Sequence, residues 1–398
     1  MSQKNFKDIF NMQDNKEKFS LPSSFEEFRG ARREGFIKMK KLKESGARVV
    51  GIYCTYTPFE IIYAAGLVPV SLCSSSDDAT RHAEVDLPKN LCPLIKASYG
   101  VALTDTCPYF YFADLIVGET TCDGKKKMYE LMNNIKDIYV LHLPQKNDEA
   151  SFQLWLSELH KFKAELERRF DVNITEEKLK EAIRMGNEER CNLRRFFELG
   201  RLNPLPLSGA DMSAIQEGFS FNFEREKRNI ELKNKTAEIY ARWERELKGK
   251  KSTRPRILIT GCPIIGVREK ILRCIEKSGA DIVVYENCSG VREKMELIDE
   301  NTGPMEAIAK KYLGISCSVM SPNPKRFSEL GSLIDEYEVD GVIEVVLQAC
   351  HTFAIEATSV QKFVTKEKNV PYMYIESDYS MNDSGQVSTR IEAFMEII

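Results

Sequence analysis

The sequence predicts an α/β protein: two doubly wound parallel-sheet domains facing a common cleft, with a helical insert between them. Three observations lead there. Short β-rich apolar runs alternate with helical patterns over the first 147 residues, the same alternation returns after residue 250, and the stretch between them is helical in period. At 398 residues, with 42% hydrophobic and 29% charged, the chain can bury more than one full core.

After a polar leader (1–24), "SFEEFRGARREGFIKMKKLKESG" reads as an amphipathic helix ending at Gly46. "RVVGIYC" (48–54) is the first strand. "TPFEIIYAAG" starts a helix, with Pro58 in its first turn and Gly66 after its end. "LVPVSLC" (67–73) is a second strand, "LCPLIKASYGVAL" (91–103) a helix, "ADLIVGETTC" (113–122) a third strand and "KDIYVLHLP" (136–144) a fourth. Together they outline an N-terminal α/β domain over 25–147. The insert spans 148–250, where "EASFQLWLSELHKFKAELERRF" and "NFEREKRNIELKNKTAEIYARWERELKGK" read as helices and "GRLNPLPLSGAD" as a loop between them. Their charge runs read as solvated faces. The C-terminal domain (251–398) repeats the first pattern in "RPRILITGC", "GADIVVYENC", "VDGVIEVVLQAC" and "VPYMYIESD", with a helix at "PKRFSELGSLIDEYE". The architecture reads as duplicated, although no internal sequence repeat supports it.

A net charge of −3 and a pI near 6.0 argue against a nucleic-acid footprint or a polybasic membrane surface. No stretch approaches 18 uninterrupted apolar residues, and "MSQKNFKDIFNMQDNKEKFS" lacks an apolar signal core. The expected location is the cytoplasm.

Eleven cysteines are many for such a chain, and an odd, scattered number does not suggest a disulfide framework. Any single one is ordinarily buried filler. Their placement says more. Cys54, Cys73, Cys262, Cys288 and Cys350 each end an apolar strand, and Cys122 makes a sixth. Open α/β sheets bind ligands at that edge. Cys92 opens a helix at the same edge, and Cys317, just before a helix starting near Pro324, can return to it. A helix of about 13 residues carries the chain roughly 20 Å, which places Cys107 at the opposite edge. Cys191 and Cys274 sit inside helical stretches and read as packing.

Converging thiols with no Cys-x2-Cys pair fit neither structural zinc nor thioredoxin-like redox chemistry. They suit an iron–sulfur cluster. Helix starts at "TCDGKKK" and "LCPLIK" would offer amides to an anionic group, and Lys125–Lys127 either add positive charge or are simply solvated. Of the four histidines, His351 follows Cys350 and could deliver a proton or only support a neighbouring ligand. Glu60 and Glu119 lie near the same edge as acid–base candidates, against helix-face or capping duty. Arg390 could pair with an anionic substrate or a local carboxylate, and Tyr109 to Phe112 read as core aromatics. "GCPIIG" is a lone glycine turn and weak support for a dinucleotide; no G-x-x-x-x-G-K-[ST] occurs.

The local stretches "NLCPLIKASYG", "CPYFYFADLIVGETTCDGKKKMYE", "ENCSGVREK" and "LQACHTFAIE...IESDYSMNDSGQVSTRIEAF" resemble the 2-hydroxyacyl-CoA dehydratase and benzoyl-CoA reductase family, within it the double-cubane-cluster reductase branch. The resemblance runs from about Phe25 to the C-terminus. It implies two α/β domains around an iron–sulfur cluster and a separate ATP-hydrolysing iron–sulfur activator protein that injects a low-potential electron. The three motif cysteines map onto Cys92, Cys122 and Cys350. The double-cubane branch uses six, and topology favours Cys54, Cys288 and Cys317 for the rest, with Cys73 and Cys262 as alternates. Cys107 lies in the family motif "CPYF" but is disfavoured by helix length.

The function this implies is reduction of a small substrate at an [8Fe-9S] double-cubane cluster in a homodimer. The alternative is a 2-hydroxyacyl-CoA dehydratase subunit with a [4Fe-4S] cluster, paired with a sibling subunit. A third reading is a non-catalytic two-domain protein that binds a small molecule.

Overall fold

The structure is a computed structural model that describes residues 19–27 and 30–398. The leader expected over 1–24 therefore lies, up to residue 18, outside the described residues. Helix α1 (Gly30–Glu44) leads into β1 (Val49–Ile52). Then follow α2 (Phe59–Ala64), β2 (Val68–Ser71), three short helices α3 (Asp77–Ala83), α4 (Pro93–Leu103) and α5 (Pro108–Phe112), β3 (Leu115–Glu119), α6 (Asp123–Met132) and β4 (Ile138–Leu141). All residues of β1 and β3 are buried, as expected of inner parallel strands covered on both faces.

Four helices separate this sheet from the next: α7 (Glu149–Phe170), α8 (Glu176–Glu198), α9 (Gly209–Ser220) and α10 (Arg225–Glu246). Trp155, Leu159, Phe162, Leu166 and Phe170 form the buried stripe of α7 at helical spacing. The second sheet uses β5 (Arg256–Gly261), β6 (Asp281–Glu286), β7 (Gly341–Leu347) and β8 (Tyr372–Ser377). Its helices are α11 (Arg273–Lys277), α12 (Pro304–Leu313), α13 (Pro324–Glu336), α14 (His351–Lys362) and α15 (Ser384–Met395).

Both sheets are wholly parallel and share one topology, β2-β1-β3-β4 and β6-β5-β7-β8. The α/β expectation holds, and the duplication that left no trace in sequence is present in strand order. In each sheet the order reverses between the first and third strands. That reversal opens a crevice at the carboxyl ends, between β1 and β3 and between β5 and β7. Among the described residues no helix is long and apolar enough to cross a membrane.

Two local readings differ from expectation. The sequence pattern did not show α3 and α5. Each is only five to seven residues long, started by Ser76 accepting from the Ala79 amide (3.3 Å) or by Pro108 in its first turn. The charged insert is also not solvated throughout. Arg190 in α8 and Arg225 and Arg228 in α10 are buried, because carboxylates meet them there. Glu189 takes Arg228 Nη2 at 2.6 Å and Arg225 Nε at 3.2 Å. Arg190 reaches Glu60 Oε1 at 2.8 Å and Glu293 Oε1 at 2.9 Å, so one guanidinium ties α8 to both sheet-bearing halves.

Candidate metal centre

The thiols gather where the two sets of strand ends meet. Cys350 follows β7, Cys262 follows β5, and Cys92 is the residue before Pro93 at the start of α4. The Cys262 and Cys92 thiols both donate to Cys350 Sγ, and these two bonds hold the Cys350 thiol well below its usual pKa. The donors move the other way: Cys92 is raised chiefly by that bond, Cys262 chiefly by burial. The trio thus joins an N-terminal residue to both strands flanking the second crevice.

A second trio lies alongside. Burial pushes the Cys54 thiol well up; Lys125 opposes this, while Glu119, Cys288 and Cys317 add to it. Cys317 is pushed up to about 11 by burial, which Arg292 opposes and Cys288 reinforces. Cys54 comes from the end of β1, Cys288 from the end of β6, and Cys317 from the loop after α12. The Cys73 thiol donates to the Tyr53 carbonyl at 3.1 Å and interacts with Cys288, bridging the groups at the end of β2.

Cys122 is placed differently. It is the residue before α6, in extended conformation, partly buried, with its carbonyl accepting from the Lys126 amide at 3.1 Å. The start of α6 packs on the start of α4: a Cβ at Gly124 would stand 2.7 Å from Ile95 Cδ1 and 3.3 Å from Leu91 Cδ1. Cys122 therefore shares an edge with Cys92 but joins neither trio by a thiol bond. Cys107 caps α5 and accepts from the Phe110 amide at 3.5 Å, with Lys136 beside it. Cys274 donates to Ser388 Oγ at 3.4 Å, and Cys191 lies within α8.

The three lysines after Cys122 separate in role. Lys126 and Lys127 are exposed and pair with Asp123 and Glu130. Lys125 turns inward and donates to the Tyr53 carbonyl at 3.0 Å. Burial works against its charge, yet Tyr129, Cys54, Cys73 and Glu119 hold its pKa well above normal. Glu119 closes this corner. It is fully buried, takes the Thr57 hydroxyl on Oε1, and its Oε2 has no hydrogen-bond partner among the described residues. Burial pushes it up to about 7.

The other two acid–base candidates sit elsewhere. Glu60 is buried in the ion network, Oε1 against Arg190 and Oε2 accepting from the Tyr312 hydroxyl at 2.8 Å. His351 is exposed at the first turn of α14. Arg390 is exposed and donates to the Tyr374 carbonyl at 2.7 Å. Sequence reasoning passed over Arg292 and Tyr379. Tyr379 is buried, its hydroxyl has no hydrogen-bond partner among the described residues, and it interacts with Cys92, Cys73, Cys262 and Cys350. Arg292 could have been found: a basic residue four positions after the strand-end Cys288 falls about one turn away.

Among the described residues no group of three or more His, Cys, Asp or Glu side chains is arranged to hold a metal ion as it stands. The donor set nevertheless fits an anionic iron–sulfur group. Soft thiol donors converge from both halves, the half-buried Lys125 and the buried Arg292 supply positive charge, and the buried Arg292 Nη1 and Tyr379 hydroxyl lack acceptors.

A family model described as 2-hydroxyglutaryl-CoA dehydratase, D-component, matches residues 54–398. The chain is 49% identical to YjiM of Escherichia coli (strain K12), which carries the name of a dehydratase subunit, over 95% of this chain and 98% of that one. It is 25% identical to the (R)-phenyllactyl-CoA dehydratase beta subunit of Clostridium sporogenes, over 90% and 94% respectively. With a benzoyl-CoA reductase subunit of Thauera aromatica the identity is 22%, over 88% and 91%. On the matched family model and this near-complete alignment, the chain belongs to the 2-hydroxyglutaryl-CoA dehydratase D-component family, whose members include dehydratase and reductase subunits.

Proposed function

We propose that the chain is an iron–sulfur enzyme that takes low-potential electrons from an ATP-hydrolysing activator protein and reduces a small substrate at a double-cubane-type cluster. The observation that carries this is the pair of thiol trios, Cys92–Cys262–Cys350 and Cys54–Cys288–Cys317, each drawing on both sheets. Cys92, Cys122 and Cys350 would hold one half of the group and Cys54, Cys288 and Cys317 the other. Cys262, already bonded to Cys350, competes with Cys122 for its place. When bound, such a group supplies one-electron reduction at low potential.

The chain's own residues do the rest. Lys125 and Arg292 offset the negative charge of the thiolates. Tyr56, Tyr129 and Tyr379, buried around the trios, keep bulk water from the strand ends. Glu119, with a pKa near neutrality, can take up or release a proton beside Cys54. The expectation, drawn from their position at the strand-end edge, that His351 and Glu60 are catalytic stays a proposal; of the two, Glu60 is engaged by Arg190 and Tyr312. Anaerobic purification with iron and sulfide analysis tests the reading: iron nearer eight than four atoms per chain is expected, and less than one overturns it.

A second reading has its own support. The relatives at 22–25% identity are named as subunits of acyl-CoA dehydratases or of benzoyl-CoA reductase, which suits a dehydratase subunit with a [4Fe-4S] cluster. Co-purification with a sibling chain and about four irons would favour it. A homodimer whose cluster is reduced only with activator and ATP would favour the first.

A further inference from the structure

We propose that Arg292 is a positioning residue for the group held by Cys288 and Cys317: its free Nη1–H and permanent charge face that group, fixing how tightly it is held and how readily it accepts an electron. The inference rests on the cluster reading above and goes beyond it by assigning a role to a residue outside the thiol set.

The argument starts from the turn that follows β6. Gly290 donates to the Asn287 carbonyl at 3.0 Å and Val291 to the Tyr285 carbonyl at 2.9 Å, folding the chain back on the strand end. A side chain at Gly290 could not follow this path, since its Cβ would stand 1.8 Å from the Tyr285 oxygen. The turn returns Arg292 next to Cys288.

The guanidinium is then locked. Its Nε donates to Glu286 Oε1, and Nη2 donates to Glu286 Oε2 at 3.0 Å and the Glu286 carbonyl at 3.1 Å. Its carbon lies 5.3 Å from the centre of the Phe353 ring. An arginine held on one edge cannot swing to satisfy the other. That other edge, Nη1, is buried and has no partner among the described residues. A buried charged donor without an acceptor carries an uncompensated desolvation cost, so folding alone gives no reason to leave it.

Arg292 interacts electrostatically with Cys288 and Cys317, and Tyr56 is nearby. Its own counter-charge, Glu286, sits behind it and is shared with Arg326 at 3.6 Å. The thiols therefore see the positive end of an oriented pair. Arg326 spends its Nη donors on Thr260, Glu344 and Glu356, and its one unpartnered donor, Nε, lies 3.6 Å from Glu286.

The test compares wild type with Arg292→Gln, Arg292→Lys and Glu286→Gln, all purified anaerobically. The readouts are iron retained against a chelator and the midpoint potential from a redox titration followed by electron paramagnetic resonance. Arg292→Gln should hold iron about 10- to 100-fold less tightly, and its potential should fall, since removing positive charge disfavours the added electron. Arg292→Lys should move the potential back toward wild type, and Glu286→Gln should raise it. Wild-type retention and potential in Arg292→Gln would overturn the inference. So would an Arg292→Lys shifted as far as Arg292→Gln, which would mean that only shape matters. If Arg292→Gln does not fold, the signs of the shifts in the other two variants decide. Wild type without iron would instead sink the cluster reading itself.

Discussion

Lys125 Nζ donates to the carbonyl oxygen of Tyr53 at 3.0 Å, the same oxygen that accepts the Cys73 thiol at 3.1 Å. A helix start after β3 is thereby fastened to the end of β1, across the crevice where the first sheet reverses its order. The bond also fixes an ammonium next to Cys54, Cys73 and Glu119. Of the three consecutive lysines, this one turns inward among Cys54, Cys73 and Glu119, while the exposed Lys126 lies near Cys122.

The first prediction follows from that division. Lys125→Gln should lower the midpoint potential of the proposed cluster most, Lys126→Gln, exposed but near Cys122, much less, and Lys127→Gln not at all. The exposed pair with Asp123 and Glu130 is screened by solvent. A redox titration at low salt checks this. Equal shifts from all three would show that the effect is one of general surface charge.

Glu119 gives a pH prediction. Its carboxyl is raised from the usual 4.5 to about 7, so the folded chain binds this proton more tightly than the unfolded chain does. The corresponding stability is fully present below pH 4.5 and is lost as pH rises through about 7. The shift amounts to roughly 3 kcal/mol. Glu119→Gln keeps an acceptor for Thr57 and removes the titration, so the metal-free variant should gain stability over wild type at pH 8 and little at pH 4.5. Urea unfolding at the two values measures it; parallel pH dependence in the two proteins would mean that folding does not raise the Glu119 pKa.

How far the sequence could be read is clear from particular residues. The eight strands and their ends were legible because inner parallel strands are continuous apolar runs, and β1 and β3 bury every residue. The gathering of thiols at one edge followed from topology alone. The pairing did not: that Cys350 meets Cys262 as well as Cys92 depends on how the two sheets approach, which no local pattern encodes. Arg190, in a helix that reads as charged and solvated, is buried because Glu60 and Glu293 arrive from 130 residues before it and 103 after it. Long-range ion partners are invisible to periodicity.

That network makes a stability prediction at Gly186. A Cβ there would stand 2.6 Å from Glu60 Oε1 and 3.0 Å from Arg190 Nη1. Alanine in mid-helix ordinarily gains about 1 kcal/mol over glycine, but crowding of this kind costs about 1–3 kcal/mol. Displacing one buried charge from its partner adds to that cost. Gly186→Ala should therefore destabilise the chain by about 1–2 kcal/mol. Gly218→Ala is the control: nothing lies within 4 Å of its Cβ position in α9, so it should be neutral or stabilising by up to about 1 kcal/mol. A stabilised Gly186→Ala in thermal unfolding would mean that Glu60 and Arg190 yield without loss.

The last prediction separates Cys122 from Cys262. Resemblance assigns Cys122 to the cluster, whereas the thiol bonds assign Cys262 to the trio with Cys92 and Cys350. Both stand at the ends of strands that flank a crevice, β3 and β5. They differ in freedom. Cys262 is held on both sides, its amide donating to the Val345 carbonyl at 2.8 Å and its sulfur accepting from the Leu347 amide at 3.4 Å. Cys122 is extended and partly buried ahead of α6, with no capping bond on its sulfur among the described residues, so its rotamer can turn toward the edge it shares with Cys92. A ligand needs a free thiolate, and a sulfur already accepting a backbone N–H is better suited to orienting Cys350 than to leaving it. Cys122→Ser should thus lose most of the iron, as should Cys92→Ser and Cys350→Ser. Cys262→Ser should keep most of it with an altered potential, and Cys191→Ser and Cys274→Ser should keep all of it. Iron per chain, measured beside circular dichroism to confirm the fold, decides: iron lost from Cys262→Ser and kept in Cys122→Ser would transfer the ligand role from the end of β3 to the end of β5.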